Sequence, residues 1–227
     1  MPRFPFDVVV FDLDGTLADT APDLAASLNH ALAALGRATV PPDSVRNLIG
    51  HGGRALLRRG LAATGEAPEA LVEEGYLILL DHYGAHLCEG TAPYPGIGDA
   101  LDSIESAGAA LAVCTNKPEA LTLRLLDALG WRGRFAAVVG GDTLPVRKPD
   151  PAPLLEAIDR AGGGRAVLVG DSITDADTAR AARVPFVAVS FGFSDRPVEA
   201  LGADAVIHGY GELIGALERM PSPRRPA

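Results

Sequence analysis

Five short apolar runs in the second half of the chain, separated by helical patterns, restrict the possible folds more than any other feature. They are Leu111 to Cys114, Ala136 to Val139, Val167 to Val169, Phe186 to Val189 and Ala205 to Ile207. Helical spacing lies between them, as at Leu121 to Leu129 and Leu154 to Ile158. A further run, Val8-Val9-Val10-Phe11, opens the chain. None alternates apolar with polar residues, so each suits a strand buried on both faces. Strands that alternate with helices pair in parallel, and their helices cover both faces of the sheet. The expected fold class is α/β, a doubly wound parallel sheet with a Rossmann-like core.

One stretch breaks the alternation. From Ala21 to Glu89 no strand-like run occurs. Leu24, Leu28, Leu32 and Leu35 recur at helical spacing, with Thr20 placed to cap the helix and Gly36 to stop it. Helical patterns continue over Val45 to Ile49, Ala55 to Leu61 and Leu71 to Tyr83. A chain of 227 residues holds one sizeable core and a smaller accessory domain. The expected division is an α/β core over 1–19 and 91–219, interrupted by an all-helical cap domain over 20–90. The Pro- and Arg-rich tail, 220–227, is expected to fray.

A net charge of -9 argues against nucleic acid as a partner, because duplex binding rests on a basic face. An acidic protein binds an anionic metabolite only where a metal or local cations invert the field. The lysines are Lys117 and Lys148 alone, against a large excess of arginine, which makes both worth following. Cys88 and Cys114 offer no disulfide framework and fit a reducing compartment. The opening Met1-Pro2-Arg3-Phe4-Pro5 lacks the apolar segment of a secretory leader, and no run approaches membrane-spanning length. A cytoplasmic protein with no membrane partner is expected, monomeric or homodimeric.

In open α/β sheets, ligands bind beyond the carboxyl ends of the strands. Four such ends carry polar clusters: Asp12-Leu13-Asp14-Gly15-Thr16, Thr115-Asn116-Lys117-Pro118, Arg147-Lys148-Pro149-Asp150, and Gly170-Asp171-Ser172 with Asp175 behind it. Each alone is explicable as a turn or a helix cap. Together on one sheet edge they make a site. Carboxylates of Asp12, Asp14 and Asp171 converging there repel, at about 4 kcal/mol per pair for a separation near 4 Å and an effective dielectric near 20. A hard divalent cation relieves this, and Mg2+ fits because it takes one or two carboxylates plus a substrate phosphate. Lys148 adds a second cation, Thr115 and Asn116 add neutral donors, and Gly15 lets backbone amides approach an anion. Such a set suits phosphoryl transfer from a small phosphorylated metabolite.

The stretch VVVFDLDGTLADT resembles the first motif of the haloacid dehalogenase-like superfamily. VCTNK, RKPDP and VGDSITDAD resemble the other three, in the family's order and over nearly the whole chain. The resemblance implies a phosphatase working through an aspartyl-phosphate on Asp12. It implies that Asp14 protonates the leaving alcohol and then deprotonates the hydrolytic water. It further implies Mg2+ held by the Asp12 side chain, the Asp14 backbone carbonyl and the Asp171 side chain. Thr115, Asn116 and Lys148 would bind the transferring group. Asp175 is expected to orient a metal-bound water or Lys148, Ser172 to cap a helix, and Asp177 to be solvated. True dehalogenases of the superfamily lack an acid/base carboxylate at the position of Asp14, and phosphonoacetaldehyde hydrolases need a cap lysine that the insert does not have.

The insert itself, through Asp19-Thr20-Ala21-Pro22-Asp23-Leu24, Leu48-Ile49-Gly50-His51-Gly52 and Leu56-Leu57-Arg58-Arg59, resembles the phosphoglycolate phosphatase subfamily. That likeness implies hydrolysis of 2-phosphoglycolate to glycolate and phosphate. Sugar-phosphate phosphatase, pyrophosphatase and β-phosphoglucomutase-like phosphotransferase chemistry share the core motifs and stay open. A non-catalytic phosphate-binding protein is disfavoured, because every expected catalytic position is filled. His51 and Arg54, beside a Gly-rich corner, are candidates to reach a substrate carboxylate. Arg58 and Arg59 read as a solvated face. His82 and His86 stand four residues apart with no third metal ligand evident.

Overall fold

The computed structural model describes residues 4–194 and 196–220. The tail expected to fray lies outside the described residues from position 221 onward. Strands β1 (Val8–Phe11), β4 (Ala110–Cys114), β5 (Phe135–Val139), β6 (Ala166–Gly170), β7 (Phe186–Val189) and β8 (Ala205–Ile207) form one parallel sheet in the order β5-β4-β1-β6-β7-β8. Val9 sits in register with Leu111 on one side and Val167 on the other.

Every residue of β1 is buried, and its alternate side chains enter different cores. Val9 and Phe11 pack with Ile97, Leu101 and Leu213, from helices α5 (Ile97–Ser106) and α9 (Leu213–Arg219). Val8 and Val10 pack with Leu154 and Ala179, from α7 (Ala152–Arg160) and α8 (Ile173–Ala182). Burial on both faces is why the strand reads as an unbroken apolar run. The sheet grows outward in both directions from β1, so its carboxyl end is the switch point where such sheets bind ligands.

Between the core segments, α1 (Ala21–Ala34), α2 (Pro42–Val45), α3 (Gly53–Ala62) and α4 (Glu69–Ala85) gather around their own apolar cluster, with Leu28, Leu32, Leu57, Leu61 and Leu79 fully buried. The chain enters and leaves this block through a two-stranded antiparallel ribbon, β2 (Ala18–Asp19) with β3 (Ala92–Pro93), which the sequence pattern did not announce. Asp23, buried in the first turn of α1, locks the two crossings together. It accepts from Gly90 N at 2.6 Å, Thr91 N at 3.0 Å and Thr91 Oγ1 at 2.6 Å. Thr20 departs from expectation. It stands at the N-cap of α1, yet its side chain makes no capping bond there. No described helix is long and apolar enough to cross a membrane.

Candidate active site

Asp12 follows β1 directly, its amide donating to Val169 O at 2.9 Å. The strand pairing therefore fixes the carboxylate at the sheet edge. It is 6% exposed, and Oδ1 lies 3.0 Å from Lys148 Nζ but out of hydrogen-bonding line. Burial, which the Lys148 charge opposes only in part, raises the Asp12 carboxyl to about 6. Lys148, equally buried, donates to Asp175 Oδ1 at 2.6 Å. Desolvation works against its charge, but Asp12 and Asp175 together hold it above the ordinary lysine range.

Asp171 directly follows β6 and is fixed through both oxygens. Thr16 Oγ1 donates to Oδ1 at 2.9 Å, and Phe193 N donates to Oδ2 at 2.6 Å. Burial first, then the charges of Asp175 and Asp12, raise its carboxyl well above the usual range. Carboxylate oxygens of Asp12, Asp171 and Asp175 all lie within 4.8 Å of one another. Three buried carboxylates so close, two of them with carboxyls raised above the usual range, and one bearing an oxygen without a hydrogen bond, fit a divalent cation bound through oxygen.

Within that trio Asp175 has other duties. Its Oδ1 takes Lys148, and its Oδ2 takes Ser172 N at 3.1 Å and Ser172 Oγ at 2.6 Å. Ser172 Oγ in turn accepts from Asp175 N, closing a capping box at the start of α8. Ser172 thus caps as expected, and of its two anticipated partners Asp175 takes Lys148.

Asp14 stands apart from the trio. Thr20 Oγ1 donates to its Oδ1 at 2.7 Å, and Lys117 Nζ reaches Oδ1 at 2.7 Å and Oδ2 at 3.0 Å. Thr20 fails to cap α1 because this carboxylate claims its hydroxyl. Burial opposes a charge on Lys117, but the Asp14 carboxylate outweighs it and raises the ammonium above the lysine range. Lys117 Nζ also sits over the Tyr83 ring, 4.5 Å from its centroid.

Gly15 departs from the anion-cradling role. Its amide donates to Ala18 O at 3.0 Å, so it is committed within the turn. Glycine is required there for two other reasons: φ is +85°, and a Cβ would stand 2.4 Å from Asp171 Oδ2. Thr115, after β4, accepts from Lys117 N at 3.2 Å through Oγ1, and Asn116 Nδ2 donates to Lys148 O at 3.0 Å. Asn116 Oδ1 is buried without a partner among the described residues.

Asp12, Asp14, Thr115, Asn116 and Lys117 line one wall of a cavity, and Leu24, Ile49, Gly50, Leu56, Leu79 and Tyr83 of the helical block line another. His51 and Arg54 are held elsewhere. His51 Nδ1 is 3.1 Å from Thr174 Oγ1, tying the Gly-rich corner to α8. Arg54 makes a bidentate pair with Glu73 at 2.8 and 3.1 Å and stacks on Tyr76. As a candidate to reach a substrate carboxylate it is occupied: its guanidinium braces α3 against α4. Arg58 pairs with Glu69 on the surface, as a solvated residue does, while Arg59 turns inward to Leu48 O. A third imidazole, His30, does join His82 and His86, but the three rings lie against one another with centroids 4.2 and 4.3 Å apart. The only ligand cluster among the described residues is Asp12 with Asp171 and Asp175.

Three contributors carry no signal in sequence, the Phe193 amide, Gly192 folded against Asp171, and Tyr83, and a fourth, the Lys117 contact with Asp14, carries almost none. The unusual scarcity of lysine was the one pointer to the last.

Residues 9–189 match the family of haloacid dehalogenase-like hydrolases. The chain is 48% identical over 209 residues to a phosphoglycolate phosphatase of Mesorhizobium japonicum, covering 91% of this chain and 92% of that one. It is similar in structure to a predicted phosphoglycolate phosphatase from Haemophilus somnus, with a TM-score of 0.86 at 29% identity over 93% of this chain and 97% of that one. It is also similar to CbbY from Rhodobacter sphaeroides, solved in complex with phosphate, with a TM-score of 0.78 at 26% identity over 93% and 99% of the two chains.

Proposed function

The chain belongs to the haloacid dehalogenase-like hydrolases, and on that premise we propose that it hydrolyses 2-phosphoglycolate to glycolate and inorganic phosphate, with Mg2+ as cofactor and Asp12 as nucleophile. The observation that carries the reading is the state of Asp12. It is a buried carboxylate at the switch point of the sheet, 3.0 Å from a buried lysine, with one oxygen free of hydrogen bonds.

In this reading an Asp12 oxygen attacks phosphorus and the ester P–O bond breaks. The leaving oxygen departs with the bonding pair and takes a proton from Asp14. Water then attacks phosphorus and gives its proton back to Asp14, which frees Asp12 and releases phosphate. Asp14 enters the first half as the carboxylic acid and the second as the carboxylate, the form whose oxygens accept from Thr20 and Lys117 at the cavity wall. Thr115 Oγ1 accepts from Lys117 N and so keeps its own proton for a phosphoryl oxygen. Lys148 offsets the charge that Asp12 and the incoming dianion bring together. Asp175 holds that ammonium in place from behind. Mg2+ bound by Asp12, Asp171 and the Asp14 backbone carbonyl would supply the remaining positive charge and align the phosphoryl group. The helical block would act as the cap, excluding water with its apolar wall. Two unpaired cysteines favour a cytoplasmic setting.

Phosphate release from 2-phosphoglycolate should require Mg2+, stop in EDTA and return when Mg2+ is restored. Turnover that survives chelation, or a higher kcat/KM for a hexose phosphate, defeats the proposal.

A further inference from the structure

Two buried groups at the cavity keep hydrogen-bonding capacity that the phosphoryl half of this chemistry does not use. Lys117 is 6% exposed, with Asp14 as its hydrogen-bond acceptor. An ammonium has three hydrogens, so Asp14 leaves at least one available. Tyr83 comes from α4 of the helical block and is 1% exposed, and its hydroxyl has no hydrogen-bond partner among the described residues. Lys117 Nζ lies over the Tyr83 ring, 4.5 Å from its centroid, and makes no hydrogen bond to the hydroxyl. Buried hydroxyls are nearly always paired, so an unpaired one on a cavity wall marks the place of a ligand acceptor.

The placement of these groups fits the leaving side of the substrate. The oxygen that takes a proton from Asp14 is one hydrogen bond from that carboxylate, hence two from Lys117 Nζ. A carboxyl carbon two bonds beyond that oxygen falls within reach of the ammonium. Among the residues that line the cavity Lys117 is the only cation, and Arg54, outside that lining, is committed to Glu73. Leu24, Ile49, Leu56, Leu79 and Leu80 make the insert side of the cavity apolar. A polyhydroxylated sugar would leave several hydroxyls unpaired against such a wall.

We infer that Lys117 and Tyr83 together bind a carboxylate on the leaving group, which selects phosphate esters of short hydroxy acids over esters of neutral alcohols and sugars. This rests on the 2-phosphoglycolate reading and adds the residues that select it. Such a substrate brings one more negative charge than a simple ester, and the chain's two lysines divide the load. Lys148 faces the phosphoryl end and Lys117 the carboxylate end. Tyr83 makes the recognition depend on the helical block being seated on the core.

The test compares 2-phosphoglycolate with ethyl phosphate, an ester of matching length without the carboxylate. The quantity is the ratio of their kcat/KM values, whatever the absolute rates. In the wild type the ratio should favour phosphoglycolate by at least about tenfold, and Tyr83→Phe, which removes only the hydroxyl, should lower it about tenfold. Lys117→Met also disturbs Asp14, so it is read by binding in the Asp12→Asn background, where no turnover occurs. There the Kd for phosphoglycolate should rise at least about tenfold more than that for ethyl phosphate. Either variant keeping the ratio of its parent overturns the assignment and leaves the substrate reading standing. A wild type that does not distinguish the two esters defeats the substrate reading itself, and the inference with it.

Discussion

Replacing the nucleophile should make the metal-free protein more stable. Burial raises the Asp12 carboxyl from 3.8 to about 6 even with Lys148 beside it. Ionising it in the fold is therefore costlier than in the unfolded chain by roughly 3 kcal/mol. Asp12→Asn substitutes a neutral group of nearly the same shape, and Lys148 keeps Asp175 at 2.6 Å. The variant should gain most of that 3 kcal/mol in EDTA near neutral pH, equivalent to roughly 6–12 °C in Tm for a chain of this size. The folded pKa lies above the unfolded one, so proton uptake by Asp12 supports the fold at low pH, and the support fades as pH rises through about 6. The difference between variant and wild type should accordingly be small near pH 4 and complete above about pH 7. Urea unfolding across that range measures it. Added Mg2+ should raise the wild-type midpoint far more than the variant's. A variant that is no more stable than wild type in EDTA at neutral pH refutes the claim that Asp12 is held under electrostatic strain awaiting a cation.

Lys148→Ala should lower kcat/KM by on the order of 4 kcal/mol, about a thousandfold, as expected for a preorganised charge at the reacting group. Lys148→Arg should also be poor, because a guanidinium differs in size and hydration and cannot sit between Asp12 and Asp175 as the ammonium does; an arginine variant at wild-type rate would show that only diffuse charge matters. Gly15→Ala should weaken Mg2+ binding, seen as a raised metal concentration at half-maximal activity, since its Cβ would press within 2.4 Å of Asp171 Oδ2 at a φ of +85°. An unchanged metal requirement would disconnect Asp171 from the cation.

What the sequence revealed depended on whether a role leaves a local pattern. Val8 to Phe11 was legible because a strand buried on both faces is apolar throughout, and β7 and β8 matched their apolar runs residue for residue. Asp12 and Asp171 were legible because each directly follows a strand, and parallel strands end on one edge, whereas Lys148 lies in a loop nine residues beyond β5 and stood out as one of only two lysines. The β2–β3 ribbon was not, since two residues on each side carry no periodicity. Thr20 ahead of Ala21-Pro22-Asp23 has the composition of a helix cap, and nothing local reveals that a carboxylate six residues earlier takes its hydroxyl. The Phe193 amide that fixes Asp171 is a backbone donor and leaves no trace in side-chain chemistry. The Arg54 pair with Glu73 was not legible because the two residues lie on different helices. Tyr83 fell into a Leu-rich helical pattern as one more core residue.

Covalent transfer through Asp12 is tested most directly by trapping the acyl phosphate. Acid quench during turnover of 2-phosphoglycolate with Mg2+, then borohydride reduction and peptide mass spectrometry, should convert Asp12 alone to homoserine. The conversion should vanish without substrate or in EDTA. Homoserine at any other carboxylate, or none in enzyme quenched while releasing phosphate at its full rate with breakdown of the intermediate rate-limiting, would contradict the account.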